Sequence, residues 1–243
     1  NGSREPETFE LYRRLAAESR IRRIDRPGAF NFPSLITAGV EVARHELLLL
    51  LNNDVEPIEP GWLLAMVAEL AHPVVGAVGA CLLFPDGFVQ HGGVTLGAGG
   101  IARHTFHFFS LGGGEDRGWL AQRRDVSAVT AACLLTSRQH WRSVGGMDAD
   151  NLAVAYNDVD FCLKLRRAGL RVIWTPEATL VHRESVTRGA ADRNAVLAEE
   201  EAVMRERWGG ILDRDPFYNP NLSLVGEPFV LDGRPRDQRA RFA

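Results

Sequence analysis

Leu47-Leu48-Leu49-Leu50-Leu51-Asn52-Asn53-Asp54 is the stretch that decides the architecture. Five leucines without alternation predict a strand buried on both faces, as in the middle of a parallel sheet. The run stops at three polar side chains. Helical periodicity flanks it, over Glu7–Arg20 and Ser34–His45 before the strand and from Pro60 to Ala71 after it. Val74–Phe84 and Ser127–Thr136 predict two more buried strands, and Ile21–Ile24, Val89–Leu96, Arg171–Trp174 and Thr179–Val181 shorter ones. A helix from Asp158 to Ala168 has Gly169 as its stop, and a charged helix spans Ala190–Trp208 before an extended, disordered tail. Glycine dominates Gly97–Gly118, which reads as a mobile loop. Alternating strands and helices give an α/β fold, a mostly parallel central sheet flanked by helices. Ligands in such sheets bind beyond the carboxyl ends of the strands, which directs attention to the residues just after Leu51, Thr136 and Val181.

Composition narrows the class. The 243 residues are 45% apolar and 24% charged, as in ordinary globular proteins, and the net charge of −3 gives no electrostatic reason to bind nucleic acid. No apolar run is long enough to cross a bilayer, so no transmembrane segment is expected. Cys81, Cys133 and Cys162 stand far apart in apolar contexts and read as buried free thiols.

The polar groups at the strand ends carry the chemistry. An aspartate such as Asp54, on a rigid strand end with amide neighbours, can ligate a hard divalent cation, and a cation there would bind a diphosphate. From spacing alone, a polar turn explains the triplet as well. In Asn157-Asp158-Val159-Asp160 two carboxylates lie in the first helical turn, where the macrodipole favours the ionised form. A carboxylate so placed can take a proton from a substrate hydroxyl; a helix cap with a solvated acid is the plainer reading. His182 closes an apolar strand, either as a ligand or as a hydrogen-bonded edge residue. His104 and His107 read as part of an aromatic loop near the cleft mouth, and His91 gives a weaker signal still. There is no nucleophile elbow, phosphate loop or dinucleotide fingerprint.

Together these segments resemble the family 2 glycosyltransferases of the GT-A fold, nearest to the bacterial rhamnosyltransferase-like branch. The resemblance rests on Phe30-Asn31-Phe32, Leu47–Glu56, Val75-Gly-Ala-Val-Gly79, Ser127–Cys133, Val144-Gly-Gly-Met-Asp148, Tyr156–Leu163 and Leu180-Val-His182, in order over about residues 1 to 225. It implies an inverting, metal-dependent transfer of sugar from a UDP- or dTDP-linked donor to a glycan or lipid-linked acceptor, in bacterial surface polysaccharide synthesis. Asn52-x-Asp54 matches the family's Asp-x-Asp, so Asn52, Asn53, Asp54 and His182 would meet the diphosphate, with Asp54 and His182 on Mn²⁺ or Mg²⁺. Asp158 matches the general base. Gly145, Gly146 and Asn157 match the donor-sugar and acceptor pocket.

Asn52 and Asn157 stand where the family has acids, and each removes a negative charge. Asn1-Gly2-Ser3 resembles the close of the family's second strand, which places the first strand and its helix upstream of this chain. A catalytic core over 1–188, incomplete at its amino end, with a helix and tail over 189–243 packing on it, is the organisation implied. Met204 replaces the Gln of the processive synthases' Gln-x-x-Arg-Trp, which suggests distributive transfer. Cytoplasmic residence is expected from the absence of an export signal, with peripheral contact at the inner membrane face where the acceptor is lipid-linked. The alternative is a degenerate, non-catalytic module that binds glycan or scaffolds an assembly.

Overall fold

A computed structural model describes residues 2–3, 5–114, 116–183, 193–226 and 228–233. Its elements in chain order are α1 (Pro6–Leu15), α2 (Phe32–Val42), β1 (Leu47–Leu51), β2 (Val55–Pro57), α3 (Trp62–Leu70), β3 (Val75–Leu83), β4 (Val89–His91), β5 (Val94–Leu96) and β6 (Ala102–His104). Then come β7 (Arg124–Asp125), β8 (Cys133–Ser137), α4 (Arg138–Ser143), α5 (Asn157–Arg167), β9 (Arg171–His182) and α6 (Arg193–Leu212). The α/β class is as the sequence predicts. Residues 21–24 adopt no strand.

The central sheet runs β1-β8-β3-β9-β2, with β4 added to β3 and β7 to β9. At its heart β3 is buried along its whole length. Its small residues permit close approach: a Cβ on Gly79 would lie 2.4 Å from the Val129 Cβ, well inside contact distance. Against β3 packs β9, one continuous strand rather than two, its register shifting between Ala80/Thr175 and Cys81/Thr179 to absorb three extra residues.

The expectation of a mostly parallel sheet needs correcting. Only β3 with β9 is parallel among the described pairs, and β1, β2, β4, β7 and β8 all join antiparallel. A hydrophobic run reports burial and carries no direction, so the leucines could not reveal this. Nor is β1 buried on both faces along its length: Leu48 and Leu50 lie in the main core and Leu49 is half-buried against a second cluster, while Leu47 and Leu51 at the ends are exposed. Because β8 runs against β1, with Leu51 opposite Cys133, the start of β8 lies at the carboxyl end of β1. Residues 130–132, and not those after Thr136, therefore reach the strand ends that hold Asn52 and His182.

The glycine-rich segment is likewise no open loop. It contains β6, paired with β5, and then an aromatic cluster in which Phe106 is buried and stacks on Phe229 at 4.7 Å. The 188/189 boundary, the first residues of the charged helix and the end of the tail fall outside the described residues. What is described of α6 joins the main core through Met204, Trp208 and Leu212. All three cysteines are buried and free, their thiols pushed up to about 12 by burial.

Candidate active site

Three consecutive backbone units hold the site together. The Ala132 carbonyl accepts from the Asn52 N–H at 2.9 Å, which fixes the turn after β1. The Ala131 N–H donates to Asp158 Oδ2 at 3.0 Å. The Thr130 N–H donates to His91 Nε2 at 3.4 Å. Predicted residues from β1 and α5 are thus tied to one another by the chain entering β8.

On the first side, β2 begins opposite the end of β9, so that Val55 pairs with His182. This register brings Asp54 Oδ1 to 3.2 Å from His182 Nε2, with the Asn52 amide 3.5 Å from the same nitrogen. Asn53, by contrast, is exposed in the turn. Among the described residues no three His, Cys, Asp or Glu side chains gather as a metal cluster. The donor pair still fits Mn²⁺ or Mg²⁺: one carboxylate oxygen and one imidazole nitrogen, with Asn52 able to turn its oxygen inward and phosphate oxygens to complete the shell.

On the second side, Asp158 sits in the first turn of α5. Its carboxylate accepts from the backbone N–H groups of Ala131 and Val159 and from the Thr130 hydroxyl. Burial nevertheless raises its pKa above the usual aspartate value, and those donors only partly offset it. Its neighbour Asp160 has a different task. Fully buried, it accepts from Arg207 Nη1 at 2.7 Å and Trp208 Nε1 at 2.9 Å, and pairs with Lys164.

The loop before α5 is clamped from two directions. Glu200 on α6 accepts from the N–H groups of Val154 and Ala155 at 2.8 and 2.6 Å. From α2 comes the Phe32 N–H to the Ala153 carbonyl at 2.9 Å, and the Asn31 amide, which also caps that helix, donates to the Ala149 carbonyl. Asn157 turns its amide to the Leu152 carbonyl. Gly145 and Gly146, both at positive φ, close α4, and a Cβ on Gly146 would strike the Trp141 ring at 2.7 Å. Their described contacts lie with α4, and those of Asn157 within its own loop.

Sequence reading missed the role of β4. Gln90 Oε1 lies 2.6 Å from His182 Nδ1, and the buried His91 places its Nδ1 2.7 Å from His104 Nδ1. Burial holds His91 well below the ordinary histidine pKa, with His104, Arg124 and His182 adding to the effect. It is therefore neutral. Taking the Thr130 N–H on Nε2, it carries its proton on Nδ1 and donates to His104. Two adjacent polar residues in an apolar strand were the available signal.

Comparison with known proteins gives the family and the fold. The chain matches the glycosyl transferase family group 2 over residues 53–226 and belongs to that family of transferases. It is 38% identical to the O-antigen biosynthesis protein RfbC of Myxococcus xanthus, over 98% of this chain and 18% of that protein. It is 42% identical to an uncharacterized protein of Sinorhizobium fredii, over 95% of this chain and 26% of that one. The chain thus spans about a quarter or less of these relatives. Among solved structures it resembles GalNAc-T7 with UDP, GalNAc and Mn²⁺ (TM-score 0.61, 12% identity, 84% of this chain and 39% of that one). It also resembles the mannosyltransferase PcManGT from Pyrobaculum calidifontis with GDP-Man and Mn²⁺ (TM-score 0.53, 17% identity, 84% and 52%). At these identities the likeness is one of fold, the GT-A glycosyltransferase fold.

Proposed function

We propose that this chain transfers a sugar, with inversion, from a UDP- or dTDP-linked donor to a hydroxyl of a glycan or lipid-linked acceptor during bacterial surface polysaccharide synthesis. The observation that carries the reading is the tie of Asn52, beside Asp54 and His182, and of Asp158 to adjacent backbone units of residues 130–132. The names of the Myxococcus relative and of the two solved neighbours point the same way, towards O-antigen, nucleotides and Mn²⁺.

In this reading Asp54 and His182 hold Mn²⁺ or Mg²⁺, and Asn52 and Asn53 line the diphosphate. A cation held there would supply positive charge against the departing nucleoside diphosphate. Asp158 takes the proton of the acceptor hydroxyl as the acceptor's oxygen bonds to the anomeric carbon and the bond from that carbon to the diphosphate breaks. Its donors fix the carboxylate's direction, and each lowers its proton affinity against the burial that raises it. Gly145, Gly146 and Asn157 shape the sugar pocket through the loop they set ahead of α5. In this reading the catalytic core extends to residue 188, and the described part of α6 packs on it through Met204, Trp208 and Leu212. Among the described residues β1 pairs along one edge only, and a strand added there from an upstream segment would complete the donor site. The contact proposed with a lipid-linked acceptor is peripheral, at the inner membrane face; no described helix is long and apolar enough to cross a membrane.

Thermal melting with UDP, dTDP or GDP, each with Mn²⁺ and with a chelator, tests this. Stabilisation that needs both a nucleotide and the cation is expected, about 2.7 kcal/mol when ligand is at 100 times its Kd. If no nucleotide shifts the transition with Mn²⁺ present, either in this chain or in one extended upstream of Asn1, a non-catalytic glycan-binding or scaffolding module becomes the better reading.

A further inference from the structure

The end of β3 pairs irregularly with β4: Leu82 faces His91 and Leu83 faces Val89, so Gln90 is an extra residue, bulged out of the ladder. A bulge re-aims a side chain, and this one is aimed across the sheet at the last residue of β9. Gln90 is buried, with its Oε1 2.6 Å from His182 Nδ1 and its amide nitrogen 3.5 Å from the His182 carbonyl oxygen. The second contact fixes the orientation of the amide, because turning it over would set two oxygens against each other. An amide oxygen carries no hydrogen, so the short contact requires the proton on Nδ1.

We infer that Gln90 is a positioning residue: it holds His182 as the Nδ1–H tautomer and keeps the Nε2 lone pair open beside Asp54, 3.2 Å away. The inference rests on the proposed cation site, and it says what sets that site's affinity. A histidine that binds a metal through one nitrogen needs its proton on the other, and the partner of that second nitrogen decides whether it has it. Without an acceptor at Nδ1, the ring is free to rotate and to carry its proton on Nε2, the wrong nitrogen for a ligand.

The test uses protein labelled with ¹⁵N-histidine, at a pH well above the ordinary histidine range. Two-bond proton–nitrogen correlations identify the tautomer of His182, its signals assigned by their loss in His182→Ala. Mn²⁺ alone is titrated in parallel and free Mn²⁺ followed by electron paramagnetic resonance, with near-ultraviolet circular dichroism reporting the fold. The wild type should show Nδ1–H. Gln90→Leu should move the proton to Nε2 and weaken Mn²⁺ binding about 10–100-fold. Gln90→Glu, which retains an acceptor oxygen, should keep the tautomer and bind at least as tightly. An Nε2–H ring in the wild type overturns the assignment even if Gln90→Leu does not fold. So does an unchanged Mn²⁺ affinity in a folded Gln90→Leu protein. If the wild type fails to bind Mn²⁺, the cation site itself is refuted and this inference falls with it.

Discussion

Asp158 accepts from Ala131 and Val159 N–H, the Thr130 hydroxyl and its own backbone N–H and still has a raised pKa, because burial outweighs them. For a base the sign is direct: it works only when ionised. The acid limb of kcat/KM, followed as nucleoside diphosphate release, should therefore lie above the ordinary aspartate value of about 3.9. For the fold the sign is opposite. A carboxyl whose folded pKa is raised favours the native state when protonated, and that contribution disappears as pH rises through the folded value. Buried Asp215 behaves alike, its pKa raised by burial against the donors Leu96 N–H, Phe217 N–H and Ser127 hydroxyl. At this scale much was legible. The sequence singles out Asp54, Asp158 and His182 because each stands where an apolar stretch breaks off or a helix begins. Gln90 gives no such signal and His91 only a weak one, since a bulge leaves no periodic trace and both lie inside what reads as an ordinary strand.

At the level of elements, α6 does the holding. Arg207 spans two acids with one guanidinium, Nη1 to Asp160 at 2.7 Å and Nη2 to Asp148 at 2.8 Å. Helix α5, the loop before it and α6 thereby become one unit. Burial pushes the Asp148 carboxyl up, but Arg207 and the donors of Asn151 and Asp150 win and bring it down to about 2. This tie is at full strength above the usual carboxyl range and is lost as pH falls through that range towards 2. Arg207→Ala should cost about 2–3 kcal/mol in urea unfolding, below the figure for a fully orphaned buried charge because Lys164 and Trp208 still serve Asp160. Arg207→Lys should restore only part, since an ammonium cannot bridge both acids. The Arg207-Trp208 pair was visible in the sequence, but its partners, some 50 residues away, were not. Strand directions were hidden for a similar reason: side-chain pattern encodes which face is covered, and β8 reads the same in either direction.

Across the whole molecule, a mixed sheet gathers its polar residues at one end. Asn52 and Asp54 leave β1, His182 ends β9, Gln90 bulges from β4, and α5 presents Asp158 beside the start of β8. The class of fold could be read from alternating strands and helices. That these polar breaks converge could not, because it depends on antiparallel pairing of β1 with β8 and on the Val55–His182 register. The central claim is that Asp158 removes the acceptor's proton at a site whose cation and nucleotide are held by other residues. It is tested most directly by comparing Asp158→Asn with the wild type, using the sugar donor whose nucleotide stabilises the protein. Nucleotide- and Mn²⁺-dependent melting should be preserved while turnover falls about 10²–10⁴-fold, the usual contribution of a general base. Turnover close to wild type in Asp158→Asn would contradict the account.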